Sequence, residues 1–161
     1  MYTRNSQSLY NDLLSEFRIL YLTGPRQAGK TTLAKLIAKQ RDMQYLSLDD
    51  AGVLDAAKSD PHGFINSFTG QNIVLDEFQY APELIQAVKQ VSDNLPVNQK
   101  GKFLLTGSAD IFSSARTQEA LPGHMARVEL WPLSLTEIQG EQFNLIDYLL
   151  EGDFSSSQTF L

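Results

Sequence analysis

The sequence contains no cysteine, which excludes disulfides, thiolate nucleophiles and cysteine-ligated metal centres. Histidine is almost as scarce, at two residues, and no cluster of His or Asp/Glu marks a transition-metal site. No run approaches the roughly 18 apolar residues of a membrane-spanning helix. The opening stretch, MYTRNSQSLYNDLL, also lacks a basic segment followed by an apolar one. These absences lead to the expectation of a soluble, cytoplasmic protein with no membrane partner. Positive charge is in deficit too. Lys and Arg number 13 against 19 Asp and Glu, a net charge of -6, which gives a nucleic-acid surface no support.

What is present fits one globular domain: 161 residues, 42% of them hydrophobic. Leu9, Leu13, Leu14 and Phe17 recur at helical spacing and predict a helix over 7–17. RILYLT (18–23) is a short aliphatic run stopped by Gly-Pro, the pattern of a buried strand. Leu33, Ala34, Leu36, Ile37 and Ala38 mark a helix, and QYLSLDD (44–50) a second strand ending in two carboxylates. Residues 51–68 read as short helices broken at Asp60-Pro61-His62-Gly63, with His62 a turn residue. NIVLDE (72–77) is a strand, and Pro82 is placed in the first turn of a helix carrying Leu84, Ile85, Val88 and Val91. GKFLLTGS (101–108) and residues 126–130 give two more strands, and 109–120 and 134–150 two more helices. Strands alternating with helices imply right-handed crossovers and a parallel sheet covered on both faces. No internal repeat is visible, and GDFSSSQTFL reads as a frayed end.

One stretch carries chemistry on its own. Gly24-Pro25-Arg26-Gln27-Ala28-Gly29-Lys30-Thr31 satisfies G-x-x-x-x-G-K-[ST] between a strand and a helix. Gly24 and Gly29 let the backbone turn with its N–H groups inward, and the helix N-terminus adds its positive dipole end. Lys30 reaches the β- and γ-phosphates and Thr31 offers a hydroxyl to Mg²⁺, so residues 24–32, Thr32 included, are expected to wrap a nucleoside triphosphate. Arg26 is read as either a phosphate contact or a surface ion pair.

Two acidic pairs discriminate among reactions. In IVLDE the strand-end Asp76 is placed to hold the Mg²⁺ shell, and Glu77 to orient and deprotonate an attacking water. That pair favours hydrolysis. Asp49 and Asp50 follow the second strand, where a small-molecule kinase would bind its acceptor, or are simply a solvated strand end. A kinase also needs an arginine-rich lid that excludes water, and 109–130 offers only Arg116 and Arg127. The Asn-Lys-x-Asp element of a GTPase is missing from LLTGSAD, so ATP is preferred by default. Thr106 and Ser108 end the strand KFLLTGS. If it lies beside the strand of Asp76, they face the γ-phosphate and the attacking water. Trp131 with Pro132 and Leu133 is read as packing a strand-to-helix corner rather than stacking a base, and Phe78 and Tyr80 as core or loop anchors.

The order GPRQAGKTTL, LSLDD, IVLDEFQYAPEL, FLLTGSAD and LPGHMARVELWPLSLTEI resembles the AAA-type P-loop ATPases common in bacteria and archaea, over about residues 17–140. The resemblance implies an α/β fold, a three-layer P-loop NTPase with a parallel central sheet flanked by helices. It makes 24–32 the Walker A element, Asp76 and Glu77 Walker B, and Thr106 with Ser108 the sensor position. The implied cofactors are ATP and Mg²⁺, and the implied activity is slow ATP hydrolysis. A nucleotide-dependent switch with little turnover and a small-molecule kinase stand as alternatives, and a homo-oligomer or a protein client as partners. The sequence departs from the family at Gly123-His124, where members often carry Gly-Arg, leaving Arg116, Arg127 or an arginine in trans to serve the γ-phosphate. Members often carry a separate C-terminal domain of poorly defined role. None is visible before Leu161, so a truncated architecture is expected, with 141–161 a helical, frayed tail.

Overall fold

The computed structural model describes residues 7–108 and 125–132. In chain order these form α1 (Gln7–Glu16), β1 (Ile19–Thr23), α2 (Lys30–Gln40), β2 (Gln44–Ser47), α3 (Ala51–Ser59), α4 (Pro61–Asn66), β3 (Ile73–Asp76), α5 (Leu84–Asn94), β4 (Phe103–Thr106) and β5 (Met125–Glu129). A 3₁₀ turn covers Phe78–Tyr80. The expected helices over 109–120 and 134–150, with Arg116 and His124, lie outside the described residues.

The five strands make one sheet in the order β2-β3-β4-β1-β5, with every pairing parallel. β4 is thus inserted between β1 and β3, with Phe103 opposite both Ile19 and Ile73. Side chains alternate across a strand, so each apolar run serves two cores. Ile19, Tyr21, Ile73, Leu75, Phe103 and Leu105 pack against α3, α4 and α5. Leu20, Leu22, Val74 and Leu104 pack against α1 and α2 on the other face. Three layers follow directly from runs that are apolar at every position.

Local chemistry shifts several boundaries. β2 stops at Ser47 rather than running through Asp50, because the Asp50 carboxylate caps α3, accepting from the N–H groups of Gly52 (2.9 Å) and Val53 (3.1 Å). The break between α3 and α4 is confined to Asp60. Pro61 takes the first helical position, and His62 and Gly63 lie inside α4, where the N–H of Gly63 donates to the Asp60 carboxylate at 2.9 Å. Pro82 stands ahead of its helix instead of in the first turn. The Ala81 and Pro82 carbonyls accept from Leu84 and Ile85, and α5 begins at Leu84.

Two buried cations tie loops to the sheet. Arg18, just before β1, donates to the Ser92 carbonyl at 2.8 Å and the Leu95 carbonyl at 3.0 Å. Lys102, just before β4, donates to the carbonyls of Phe68 (2.6 Å), Thr69 (3.0 Å) and Gln71. Burial pushes the Lys102 ammonium below the ordinary lysine range. Lys102→Met leaves three carbonyls without their donor, and the expected loss of stability is about 1–3 kcal/mol. Chemical denaturation measures it, and an unchanged midpoint refutes this role for the lysine.

Candidate nucleotide-binding site

The C-terminal ends of the strands open into one cleft of about 920 Å³. Its floor is the loop from β1 to α2, represented by Gly24–Gln27 and Gly29–Thr32. Positive φ angles at Gly24 (143°), Gln27 (63°) and Gly29 (86°) curl this loop. Gly24 has a second reason to be glycine, since a Cβ there would collide with the Leu130 carbonyl oxygen. Ala28 turns inward and is buried in the core beneath α2. Lys30, at the first position of α2, is 8% exposed, and its amine donates to the carbonyls of Gly24 (3.0 Å) and Pro25 (2.8 Å). Arg26 is exposed on the cleft rim.

The opposite wall comes from the segment after β3. Asp76 is 2% exposed, and both its carboxylate oxygens are engaged: the Thr106 hydroxyl donates to one and the Tyr45 hydroxyl to the other, at 2.5 Å. Burial, and then the hydrogen bond to Asp76, raise the Tyr45 hydroxyl above the ordinary tyrosine range, so it remains a donor at neutral pH. Lys35 rests over the Tyr45 ring, 5.2 Å from its centroid. Glu77 adopts a left-handed conformation (φ 56°, ψ 44°) and its N–H donates to the Thr106 hydroxyl at 3.1 Å. That kink turns Glu77 out of the sheet and into the cleft, while Asp76 stays behind the wall.

Thr106 and Ser108 therefore separate. The strand order brings β4 against β3 as the sequence reading required. Thr106, however, is fully buried, and its hydroxyl is directed at Asp76 and Glu77 rather than at an attacking water. Ser108, two residues further on, reaches the cleft.

Gln79 is a cleft residue that the sequence reading missed. Its amide nitrogen donates to the Glu77 carboxylate, and its carbonyl oxygen accepts from the Ser108 N–H at 3.3 Å. Tyr45 was missed as well, since nothing in the sequence places it beside Asp76 before β2 is known to pair with β3. Asp49 lines the cleft, but Asp50 is spent on its helix cap. Phe78 is core, as expected, whereas Tyr80 is 42% exposed on the cleft wall. Trp131 corrects its reading as a packed corner: Leu130 is the residue that packs, at 3% exposure, and Trp131 follows it outward, 64% exposed and lining the cleft. Arg127 is exposed on β5, with β1 and β4 between it and the strand of Asp76.

Among the described residues no group of three or more His, Asp or Glu could hold a metal ion by itself. The donor set instead fits Mg²⁺ carried on a triphosphate, which takes one or two carboxylate or hydroxyl oxygens from protein and the rest from phosphate and water. Thr31 lines the cleft as an oxygen donor of that kind, and the Asp76 carboxylate lies behind the cleft wall, where it fits the water shell of such an ion rather than direct ligation.

The AAA domain family matches residues 16–139, most of the chain and all of this constellation. The chain belongs to the AAA domain family. This AAA domain is 34% identical over 121 residues to uncharacterized proteins of Mycobacterium bovis and Mycobacterium tuberculosis. The matched stretch is 74% of this chain and 26% of each relative, so the chain spans about a quarter of their length. The crystal structure of a DNA replication initiation factor superposes with a TM-score of 0.51 at 21% identity, over 78% of this chain and 43% of that one. That likeness concerns the fold, a parallel sheet of the P-loop NTPase kind. Among the described residues, no helix of this AAA domain is long and apolar enough to cross a membrane.

Proposed function

We propose that this AAA domain is a Mg²⁺-dependent ATPase centred on the cleft between the phosphate loop and Glu77. One observation carries the reading: the Glu77 carboxylate lines the same cleft as the loop of residues 24–32, two strands away from it in the sheet. Loop N–H groups and Lys30 bind and orient the phosphates. Thr31 would hold the magnesium ion and the buried Asp76 its water shell, with Tyr45 and Thr106 keeping the Asp76 carboxylate in one orientation. Glu77 orients a water and accepts its proton. A magnesium ion held there would supply charge neutralisation on the transferring phosphoryl group.

Turnover in the isolated chain is expected to be slow. An arginine supplied in cis or in trans adds roughly 10³ to 10⁵ in rate to P-loop enzymes. Arg127 is separated from β3 by two strands, which disfavours it for that role. Phosphate release from Mg-ATP, compared with ATP in excess EDTA, tests the proposal. Metal-dependent release supports it, and equal release with EDTA contradicts it. A protein client and a homo-oligomer that contributes the arginine are compatible with this reading.

A second reading, a nucleotide-dependent switch with little turnover, is favoured by one contact. The Gln79 amide engages the very carboxylate that hydrolysis needs. The two readings differ in the expected behaviour of Gln79→Ala. If Gln79 aligns Glu77, kcat falls roughly tenfold to a hundredfold with KM unchanged. That fall is the expected result, measured by steady-state phosphate release, and a rise in kcat would identify a restraining clamp instead.

A further inference from the structure

The strand order gives the cleft a direction. β3, with Asp76 and Glu77, lies on one side of β1, and β5 lies on the other. Between the ends of β3 and β5 run three strand spacings, roughly 14 Å. A nucleotide with its terminal phosphate at Glu77 must extend its opposite end toward β5. Two residues at that end line the cleft, Glu129 and Trp131. A carboxylate at Glu129 repels phosphate and suits a sugar or base. Trp131, a large aromatic residue 64% exposed, lines the cleft just after the residue whose carbonyl abuts Gly24 at the start of the phosphate loop.

We propose that Trp131 is the base platform of the cleft, its indole stacking on the purine of the bound nucleotide. The proposal rests on the nucleotide-binding reading and adds the subsite for the base. The backbone fixes Trp131 in place: the Leu130 N–H donates to the Thr23 carbonyl at 2.7 Å, and Leu130 itself is buried against the α2 face. The platform is therefore anchored to the same strand end from which the phosphate loop springs. Stacking needs only a π face, so this subsite favours purines over pyrimidines by area and discriminates little between adenine and guanine.

Trp131 is the only tryptophan in the chain, so its own emission reports directly on the site. The experiment titrates the 161-residue chain with Mg-ATP and with magnesium tripolyphosphate, following tryptophan fluorescence and, in parallel, heat of binding. Both ligands are expected to bind, with ATP quenching the emission strongly and tripolyphosphate leaving it nearly unchanged. Trp131→Ala is expected to weaken ATP roughly tenfold, the scale of one aromatic–base stack, and to leave tripolyphosphate affinity intact. Trp131→Phe, which keeps an aromatic face, restores most of the ATP affinity. Calorimetric binding of ATP with unchanged emission, and parent affinity in Trp131→Ala, overturns the platform while leaving the phosphate loop standing. Heat of binding from neither ligand overturns both the platform and the nucleotide reading beneath it.

Discussion

Lys30→Ala abolishes measurable triphosphate binding. The side chain stands at the first position of α2, 8% exposed, and its amine already closes the phosphate loop through the Gly24 and Pro25 carbonyls. A triphosphate offers that ammonium charged oxygens in exchange for neutral carbonyls. A hydrogen bond to a charged group contributes about 1.5–3 kcal/mol, and a lysine serving two phosphates contributes more than one. The expected loss is at least roughly a hundredfold in affinity, which calorimetry with Mg-ATP measures. Truncation also frees the two carbonyls that held the loop, so tripolyphosphate affinity falls in step with ATP. Parent-like affinity for either ligand would sink the phosphate-loop assignment. The Trp131 variants behave differently, since they spare tripolyphosphate, and the pair of results separates the two ends of the cleft.

Glu77→Gln keeps nucleotide binding and loses turnover. The substitution preserves size and one carbonyl oxygen but removes the basic oxygen that takes a proton from water. General-base catalysis contributes roughly 10² to 10⁴ in rate, and kcat is expected to fall by that factor with ATP affinity within about threefold of the parent. The backbone is not disturbed, because the left-handed kink at Glu77 is held by its N–H on the Thr106 hydroxyl, which the side chain does not touch. Equal phosphate release from the variant and the parent would remove Glu77 as the base. Loss of binding together with turnover would instead make it a phosphate-orienting or structural residue.

The phosphate loop, the acidic pair and the strand of Thr106 were legible in the sequence because each is written locally. A glycine spacing, a strand-end carboxylate and an apolar run ending in Thr-Gly-Ser all declare themselves within a few residues. The parallel sheet was legible for the same reason: runs apolar at every position need cover on both faces. Contacts made across the sheet were not legible. Tyr45 reaches Asp76 only because β2 pairs with β3, and the Thr106 hydroxyl points into the protein only because β4 is squeezed between two neighbours. The kink at Glu77 was hidden, since a non-glycine residue gives no warning of a positive φ. Trp131 was misjudged because tryptophan beside proline and leucine reads as apolar packing, and only the burial of Leu130 reveals which residue of that corner faces inward. Asp60, Pro61 and Gly63 form a turn-like cluster, yet the cap geometry makes them the start of a helix.

The insertion of β4 has a consequence for how the protein is made. Among the described residues β1 pairs only with β4 and β5, and β2 only with β3. A growing chain that has not yet reached Phe103 already contains the phosphate loop and both acidic residues, but the loop follows a strand, β1, that has no partner yet, while the acidic residues end the β2–β3 pair, with no strand to join the two. Ribosome-bound chains halted before β4 should thus carry every signature residue of the cleft and still fail to retain nucleotide, whereas those extended through β5 acquire it in a single step.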